Sequence, residues 1–162
     1  MGRPRTFDTD RAVENAAVLF ATHGYEGTSV DDLVTATGVH RGSLYKVFGS
    51  KRSLHLTALR SHLDHEIRPT TDVIATLTDP EQALTTAIAS YDNGPAAGLL
   101  LLAAAERAPL DPDVAALVAE GIDALENALR PSHGDAAPRF ASTVLGARLR
   151  LRASRPTTSK EH

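Results

Sequence analysis

Four cationic side chains between residues 41 and 52 have the chemistry to bind a nucleic acid. Arg41, Lys46, Lys51 and Arg52 all follow Asp32, the last acidic residue of this part of the chain. Arginine can donate two hydrogen bonds to the O6/N7 edge of guanine, and basic side chains set the register of a protein by binding phosphates. The whole chain has a net charge of −3. The clustering of these cations, and not their total, therefore indicates a DNA partner.

The elements that would position these cations are two short helices joined by a glycine. Ser29-x-x-Asp32 is a capping-box pattern at the start of the first helix, and Gly38 ends it. The second helix is predicted over residues 40–48, with Val47 on its buried side. A tight turn that fixes the angle between two helices lets the second lie in the major groove. The segment therefore predicts a helix-turn-helix that binds double-stranded DNA.

Helical signals continue on both sides of this segment. We expect one helix from Thr9 to about Thr22 before it, and a long helix after it that Ser50 caps and Pro69 ends. Prolines then stand where first helical turns would start. The long helix is helix 4 in chain order, and helices 5–9 are predicted over residues 71–77, 80–91, 96–107, 112–129 and 138–153, with loops that include 131–137.

The composition fits a helical protein with an aliphatic core. Hydrophobic residues make up 42% of the chain but aromatic residues only 4%, so packing must depend on Leu, Val and Ala. We expect an all-α fold of about nine helices. The predicted parts are a DNA-binding domain at residues 1–50, a helical ligand-binding and dimerisation domain at 51–155, and a disordered tail at 156–162.

A wider set of residues around the glycine turn falls at fixed spacings. They are Leu19-Phe20-x-x-x-Gly24-Tyr25-x-x-Thr28-Ser29-Val30, then Gly38-Val39, then Gly42-Ser43-Leu44-Tyr45-x-x-Phe48-x-x-Lys51. Residues 3 to about 60 closely resemble the helix-turn-helix of the TetR family of bacterial transcriptional regulators. The resemblance implies a ligand-responsive repressor that binds a palindromic operator as a homodimer.

Ten residues are expected to contact DNA. Arg41 lies in the first turn of the recognition helix, which approaches base edges, and Gly42 lets the backbone come close to the sugar-phosphate wall. The other contacts are expected on phosphates or, for an N-terminal arm, in the minor groove. The full set is Arg3, Arg5, Thr28, Ser29, Arg41, Gly42, Ser43, Tyr45, Lys46 and Lys51.

The resemblance also implies a cavity for a small-molecule effector among helices 5–7. Its expected lining is Thr85, Ile88, Tyr91, Leu99 and Leu102, and we expect an apolar effector. The mechanism expected is a ligand-induced shift of helix 4 that changes the separation of two recognition helices.

Helices 8 and 9 carry an apolar stripe that is wider than a lone surface helix needs. We interpret it as a dimer interface, although packing on helices 5–7 is the alternative explanation. A glycine in mid-helix destabilises by about 1 kcal/mol relative to Ala, and close approach of a partner helix would explain Gly121. The expected interface is Leu117, Val118, Gly121, Ile122, Leu125, Phe140, Val144 and Leu145.

The sequence also contains features that bear on other function classes. His62, His65 and Glu66 lie at i, i+3 and i+4, with His55 two turns earlier, so a metal-responsive regulator is one alternative. A DNA-binding protein without an effector is another. No phosphate loop or nucleophile elbow occurs, and the chain has no Cys, so we expect no enzyme.

We expect no cofactor, no metal and no membrane partner. The apolar run at residues 99–105 is too short to cross a bilayer, and the N-terminus lacks the apolar stretch of a secretory signal. A cytoplasmic protein is therefore expected, with operator DNA, a second copy of itself and an unidentified small molecule as partners.

Overall fold

All regular secondary structure in residues 8–154, the part that this computed structural model describes, is helical. The all-α prediction is therefore confirmed. The helices are α1 (Thr9–His23), α2 (Val30–Thr37), α3 (Arg41–Phe48), α4 (Lys51–His62), α5 (Arg68–Ala75), α6 (Pro80–Ser90), α7 (Leu99–Glu106), α8 (Pro112–His133) and α9 (Ala137–Ala153).

Local signals in the N-terminal helices produce the predicted boundaries. The Ser29 hydroxyl accepts the Asp32 N–H at 3.0 Å, and the Asp32 carboxylate accepts the Ser29 N–H at 2.8 Å. The Ser29 hydroxyl also donates to the Asp32 carboxylate, and the bonds that this carboxylate accepts from the hydroxyl and the N–H of Ser29 hold the pKa of Asp32 below its ordinary value. Gly38 ends α2 in the left-handed conformation, with φ 68° and ψ 17°. The helix-turn-helix geometry is thus specified within a short stretch of chain.

Pro69, which was predicted to end a helix, and Pro131, which was predicted to lie in a loop, both lie inside helices. A π-helical turn, Leu63–Ile67, joins α4 to α5, and Pro69 falls in the first turn of α5. The wider π turn lets the helix continue past a residue that lacks an N–H. Pro131 lies within the last turn of α8, and a 3₁₀ turn at Gly134–Ala136 leads into α9. The predictions that Pro69 stops a helix and that residues 131–137 form a loop were wrong.

The C-terminal helices pack around α8, which contacts α5, α6, α7 and α9. Gly121 packs closely against two side chains from neighbouring elements. A Cβ at Gly121 would be 2.8 Å from Cδ2 of Leu100 and 3.0 Å from Cδ2 of Leu63. The Tyr91 hydroxyl also donates to the Gly121 carbonyl at 2.6 Å. Neighbours within the same chain therefore explain this glycine. The prediction that a partner helix approaches closely at Gly121 was wrong.

Within residues 8–154, no helix combines the length and the apolar character needed to span a bilayer. The predicted minor-groove arm, Arg3 and Arg5, and the predicted tail at 156–162 lie outside the described residues.

Candidate nucleic-acid interface

Helix α3 is attached to the rest of the fold by one side and leaves its other side open. It packs against α2 and α4, and Leu44 is its one buried residue. Phe48 is half-buried. Five neighbouring side chains and Gly42 are exposed: Arg41, Ser43, Tyr45, Lys46 and Val47. Val47 is 47% exposed, so its predicted burial was wrong. A short helix that buries one residue and leaves a polar side open has the shape required to enter a groove.

Arg41 stands at the first position of α3, at the end of the helix that would meet base edges. Its guanidinium is exposed and lies 3.5 Å from Oδ1 of Asp31, an exposed carboxylate of α2. Ion pairs between exposed side chains contribute little to stability. Arg41 can therefore exchange this partner for a guanine edge at small cost.

Gly42 has no structural role within the protein that would require a glycine. Nothing lies within 4 Å of a Cβ built there, and its φ is not positive. An alanine at this helical position would stabilise the helix by up to about 1 kcal/mol. No neighbour within the described part of the chain therefore requires a glycine at this position.

Lys51 and Thr28 have intramolecular partners that the sequence did not reveal. The Lys51 ammonium donates to the Thr28 carbonyl at 2.8 Å and lies 4.2 Å from the centre of the Tyr25 ring. Thr28 is fully buried, and its hydroxyl donates to the Gly24 carbonyl at 2.6 Å. The Ser29 hydroxyl donates to Asp32 at 2.6 Å. Ser29 is exposed, whereas the Thr28 side chain faces the interior.

Arg52 points away from the exposed side of α3. Its guanidinium donates to both carboxylate oxygens of Asp111, at 2.7 and 2.8 Å, and to Asp113 at 2.6 Å. These bonds lower the pKa of Asp111 to about 2. The four cations that cluster in the sequence therefore divide in space. Arg41 and Lys46 lie on the exposed side of α3, whereas Lys51 binds the Thr28 carbonyl and Arg52 binds Asp111.

The Asp111 pKa leads to a prediction on acid stability. Its carboxylate is ionised above about pH 2 when folded and above about pH 4 when unfolded. Its contribution to the free energy of unfolding is therefore complete above about pH 4 and is lost as the pH falls through about 2. Urea unfolding of the wild type and of Asp111→Asn should differ by a constant amount down to about pH 4, and this difference should then shrink.

The matched control for this experiment is Asp123→Asn, which changes an exposed carboxylate of the same helix. Its difference from the wild type should stay small across the same pH range. A difference for Asp111→Asn that persists unchanged to pH 2 would contradict the depressed pKa.

The residues predicted to line an effector cavity occupy different environments. Tyr91 and Leu99 are fully buried. Ile88 and Leu102 are half-buried, and Thr85 is exposed. A separate open groove of about 480 Å³ lies between α4 and α8 and contains none of these residues. It is lined by Leu56, Thr57, Arg60, Asp113, Ala116 and Leu117.

The residues predicted to form a dimer interface are mostly covered within the chain. Five are buried: Leu117, Val118, Gly121, Leu125 and Val144. Three remain half-exposed: Ile122, Phe140 and Leu145. The apolar stripe of α8 is therefore largely used to build the C-terminal core, which was the alternative explanation.

The histidines that suggested a metal site do not share a face. His62 is buried, and its Nε2 lies 2.8 Å from Oδ1 of Asp92, whereas His65 is exposed and contacts the Ser61 carbonyl at 2.9 Å. The π turn that follows His62 alters the helical spacing, so positions i, i+3 and i+4 diverge. His55 packs against the rings of Phe20 and Tyr25. No group that could hold a metal ion occurs in residues 8–154.

The contact region around Tyr25, which we call the Tyr25 seam, was not predicted from the sequence. Here the end of α1 meets α4 and the α7–α8 turn. The Arg107 guanidinium lies 4.4 Å from the Tyr25 ring centre. His55 is 2% exposed, and burial is the main cause that lowers its pKa to about 4. The partners come from distant parts of the chain, so no local spacing could have signalled the seam.

Comparisons with known proteins agree with this geometry. Residues 12–58 match the family profile described as bacterial regulatory proteins, tetR family. A 64-residue stretch is 45% identical to the uncharacterized HTH-type transcriptional regulator YezE of Bacillus subtilis and covers 40% of this chain and 33% of that protein. A 63-residue stretch is 46% identical to the HTH-type transcriptional repressor ComR of Escherichia coli, over 39% of this chain and 30% of that protein. The match thus spans about a third of the length of these relatives.

A solved structure is similar over nearly the whole chain. It is a cysteine mutant of the TetR family transcriptional regulator CifR, complexed with 26-base-pair double-strand operator DNA. The two chains are 27% identical with a TM-score of 0.75, and the match covers 96% of this chain and 92% of that one. The likeness extends the family resemblance from the N-terminal helices to the C-terminal ones.

Proposed function

The chain belongs to the TetR family of bacterial transcriptional regulators, and from that premise we propose that it is a ligand-responsive repressor that binds a palindromic operator as a homodimer. Residues 1–50 would bind DNA, and residues 51–155 would bind the effector and the second copy. The protein would act in the cytoplasm, where its DNA partner lies, and would have no enzymatic activity.

One observation carries the DNA-binding proposal. Helix α3 buries Leu44 alone and leaves Arg41, Gly42 and Lys46 on its open side. Arg41 would read a base edge, Gly42 would admit the backbone, and Lys46 would bind a phosphate. Tyr45 is 38% exposed, which leaves its hydroxyl free to reach a phosphate on the same side. We retain Ser43 and Ser29 as polar contacts, and Lys51 through the ammonium hydrogens that Thr28 does not use.

Selection of bound duplexes from random DNA tests the proposal. Purified protein should enrich a palindromic consensus, because two α3 helices related by a twofold axis read the same half-site in opposite directions. Recovery of no preferred sequence at physiological salt would reject the DNA-reading function. A consensus without internal symmetry would reject only the pairing of two copies.

Gly42→Ala should separate stability from DNA binding. We expect its free energy of unfolding to rise by up to about 1 kcal/mol, because alanine favours the helix and meets nothing within the protein. Operator affinity should nevertheless fall by about tenfold or more, because the methyl group would meet the sugar-phosphate wall. Chemical denaturation and a fluorescence binding assay measure the two effects. Unchanged operator affinity would contradict a close approach of the DNA backbone to Gly42.

The surface left for a second copy lies on the outer side of α9. Gly146 is exposed in mid-helix, and nothing lies within 4 Å of a Cβ built there. Leu149, one turn after Gly146 on the same side of α9, is 57% exposed. A helix backbone that can be approached closely, next to an exposed leucine, favours packing against another helix. Together with the half-exposed Leu145, one turn before Leu149, these residues form the dimer surface that we propose.

An apolar small molecule remains the effector that we propose, bound among α5, α6 and α7 near Tyr91 and Leu99. Both side chains are fully buried, so the ligand would have to displace or reorder existing core packing. A screen that measures release of the selected duplex would identify such a molecule. If no compound changes DNA affinity, a DNA-binding protein without an effector becomes the better description.

A further inference from the structure

Residues 106–113, which include the end of α7, the following turn and the start of α8, contact the DNA-reading part of the chain at one point and the start of α4, which follows it, at a second point. We call this segment the clamp, and α1–α3 the reading unit. At the first point, the Tyr25 N–H donates to Oε2 of Glu106 at 2.7 Å. Gly24 has a φ of 75°, and a Cβ there would overlap the Glu106 carboxylate. The end of α1 is therefore seated directly on Glu106.

The second point is the start of α4, directly after the reading unit. Arg52 donates to both oxygens of Asp111. The same Asp111 caps α8 by accepting the N–H groups of Asp113, at 3.1 Å, and Val114, at 3.5 Å. A bidentate arginine–carboxylate pair fixes angle as well as distance. The first turn of α4 is therefore held in a defined orientation on the first turn of α8.

Arg107 connects these two points. Its guanidinium lies 4.4 Å from the Tyr25 ring centre, 3.2 Å from Glu26 and 3.6 Å from Asp111. Both attachments and this linking arginine fall within eight residues of chain. A displacement of the clamp would consequently move the end of α1 and the start of α4 together.

Beyond the clamp, the α4–α8 seam is open. The groove described above separates the middle of α4 from α8, and its lining includes Leu56 and Ala116. A second ion pair, Arg60 with Glu120 at 2.8 Å, bridges the seam farther along. The pairs Arg52–Asp111 and Arg60–Glu120 thus bridge α4 and α8, with the groove between them. Such contacts can be rearranged without opening an apolar core.

We propose that Glu106 and Asp111 are positioning residues that set the angle of the reading unit relative to α8. In the dimer, that angle would determine the separation of the two α3 helices and hence the half-site spacing that the protein accepts. A signal that moves the clamp would then change DNA binding without any change at α3 itself. This last step depends on the proposed function, whereas the mechanical role of the clamp does not.

The test uses a variant that breaks both attachments, Arg52→Gln with Glu106→Ala. Asp111 remains as the cap of α8, so the C-terminal helices keep their start signal. The matched control is Arg60→Gln, which removes the other α4–α8 ion pair. Arg52 and Arg60 are similarly exposed, at 43% and 45%. Glu106→Gln, which keeps an oxygen to accept the Tyr25 N–H, should restore wild-type behaviour at the first point.

Spin labels measure the angle without DNA. The chain has no cysteine, so cysteines introduced at the exposed Glu14 of α1 and Asp123 of α8 would be the only labelling sites. Labelled protein is diluted with unlabelled protein so that distances within one chain are observed. We expect a narrow distance distribution for the wild type and Arg60→Gln, and one about twofold wider for the clamp variant. Equal widths in all three would overturn the proposal.

Half-site spacing tests the consequence on DNA. On duplexes selected by the wild type, moving the half-sites by one base pair should weaken wild-type binding by about tenfold or more, and binding of the clamp variant by about threefold or less. The same spacing preference in both proteins would overturn the proposed role of the clamp in setting the half-site spacing. If the wild type selects no duplex, the proposed function fails, and the distance distributions still decide the mechanical role.

Discussion

Arg41→Ala is expected to weaken binding to the selected operator by about 5- to 150-fold, equivalent to roughly 1–3 kcal/mol, the range for one bidentate base contact. Its effect on random duplex should be much smaller, because phosphate contacts supply most non-specific affinity. Stability should barely change, since Arg41 is exposed and its one ion pair, with Asp31, is exposed as well. Titrations with operator and with random DNA at one salt concentration measure the ratio of the two affinity losses.

Lys46→Ala is the matched control, because Lys46 lies on the same helix and is also an exposed cation. A phosphate contact carries no sequence information, so this variant should lose affinity for both duplexes by a similar factor. Its salt slope should fall by about one. If Arg41→Ala behaved like Lys46→Ala, Arg41 would be a phosphate contact and the base-reading role would be rejected.

Leu149→Asp is expected to convert the protein to a monomer and to lower affinity for the palindromic operator by about 100-fold or more, which corresponds to roughly 3 kcal/mol. The physical reason is that a charge would be buried without a partner between two α9 helices. Within one chain the side chain is 57% exposed, so folding should be unaffected. Sedimentation at micromolar concentration and binding to the full operator provide the two measurements.

Val73→Asp is the control for this second prediction. Val73 lies on α5 and has the same exposure, 57%, so the substitution adds the same charge to a surface of equal accessibility. It should leave both association and operator binding close to wild type. A Leu149→Asp variant that still sediments as the wild type does would show that the outer side of α9 is not the dimer surface.

Most of the helix-turn-helix was predictable because its signals act within a few residues. The capping box at Ser29 and Asp32 satisfies backbone groups at the start of α2, and Gly38 adopts the left-handed conformation that ends it. Neither depends on the rest of the fold. Asp79 and Asp111 cap α6 and α8 through equally local hydrogen bonds.

Predictions that depended on distant neighbours were less successful. Pro69 and Pro131 are strong local stop signals, yet α4 continues into α5 through a π turn, and α8 continues past Pro131 to His133. The sequence shows Gly121 in the middle of a helix without showing why. The reason is that the side chains of Leu100 and Leu63, which come from α7 and the π turn, fill the space that a Cβ would need. An apolar stripe indicates burial but does not identify the surface that covers it.

The sequence by itself determined the fold class, the boundaries of α1–α3 and the presence of Arg41 at the start of the recognition helix, because hydrogen bonds between residues three or four apart specify these features. Only the tertiary structure decided which cations face outward. Lys51 and Arg52 are adjacent in sequence to the reading unit, but one binds the Thr28 carbonyl and the other Asp111. These partners are 23 and 59 residues away in sequence, and a charge has no preferred partner until folding brings one within hydrogen-bond distance.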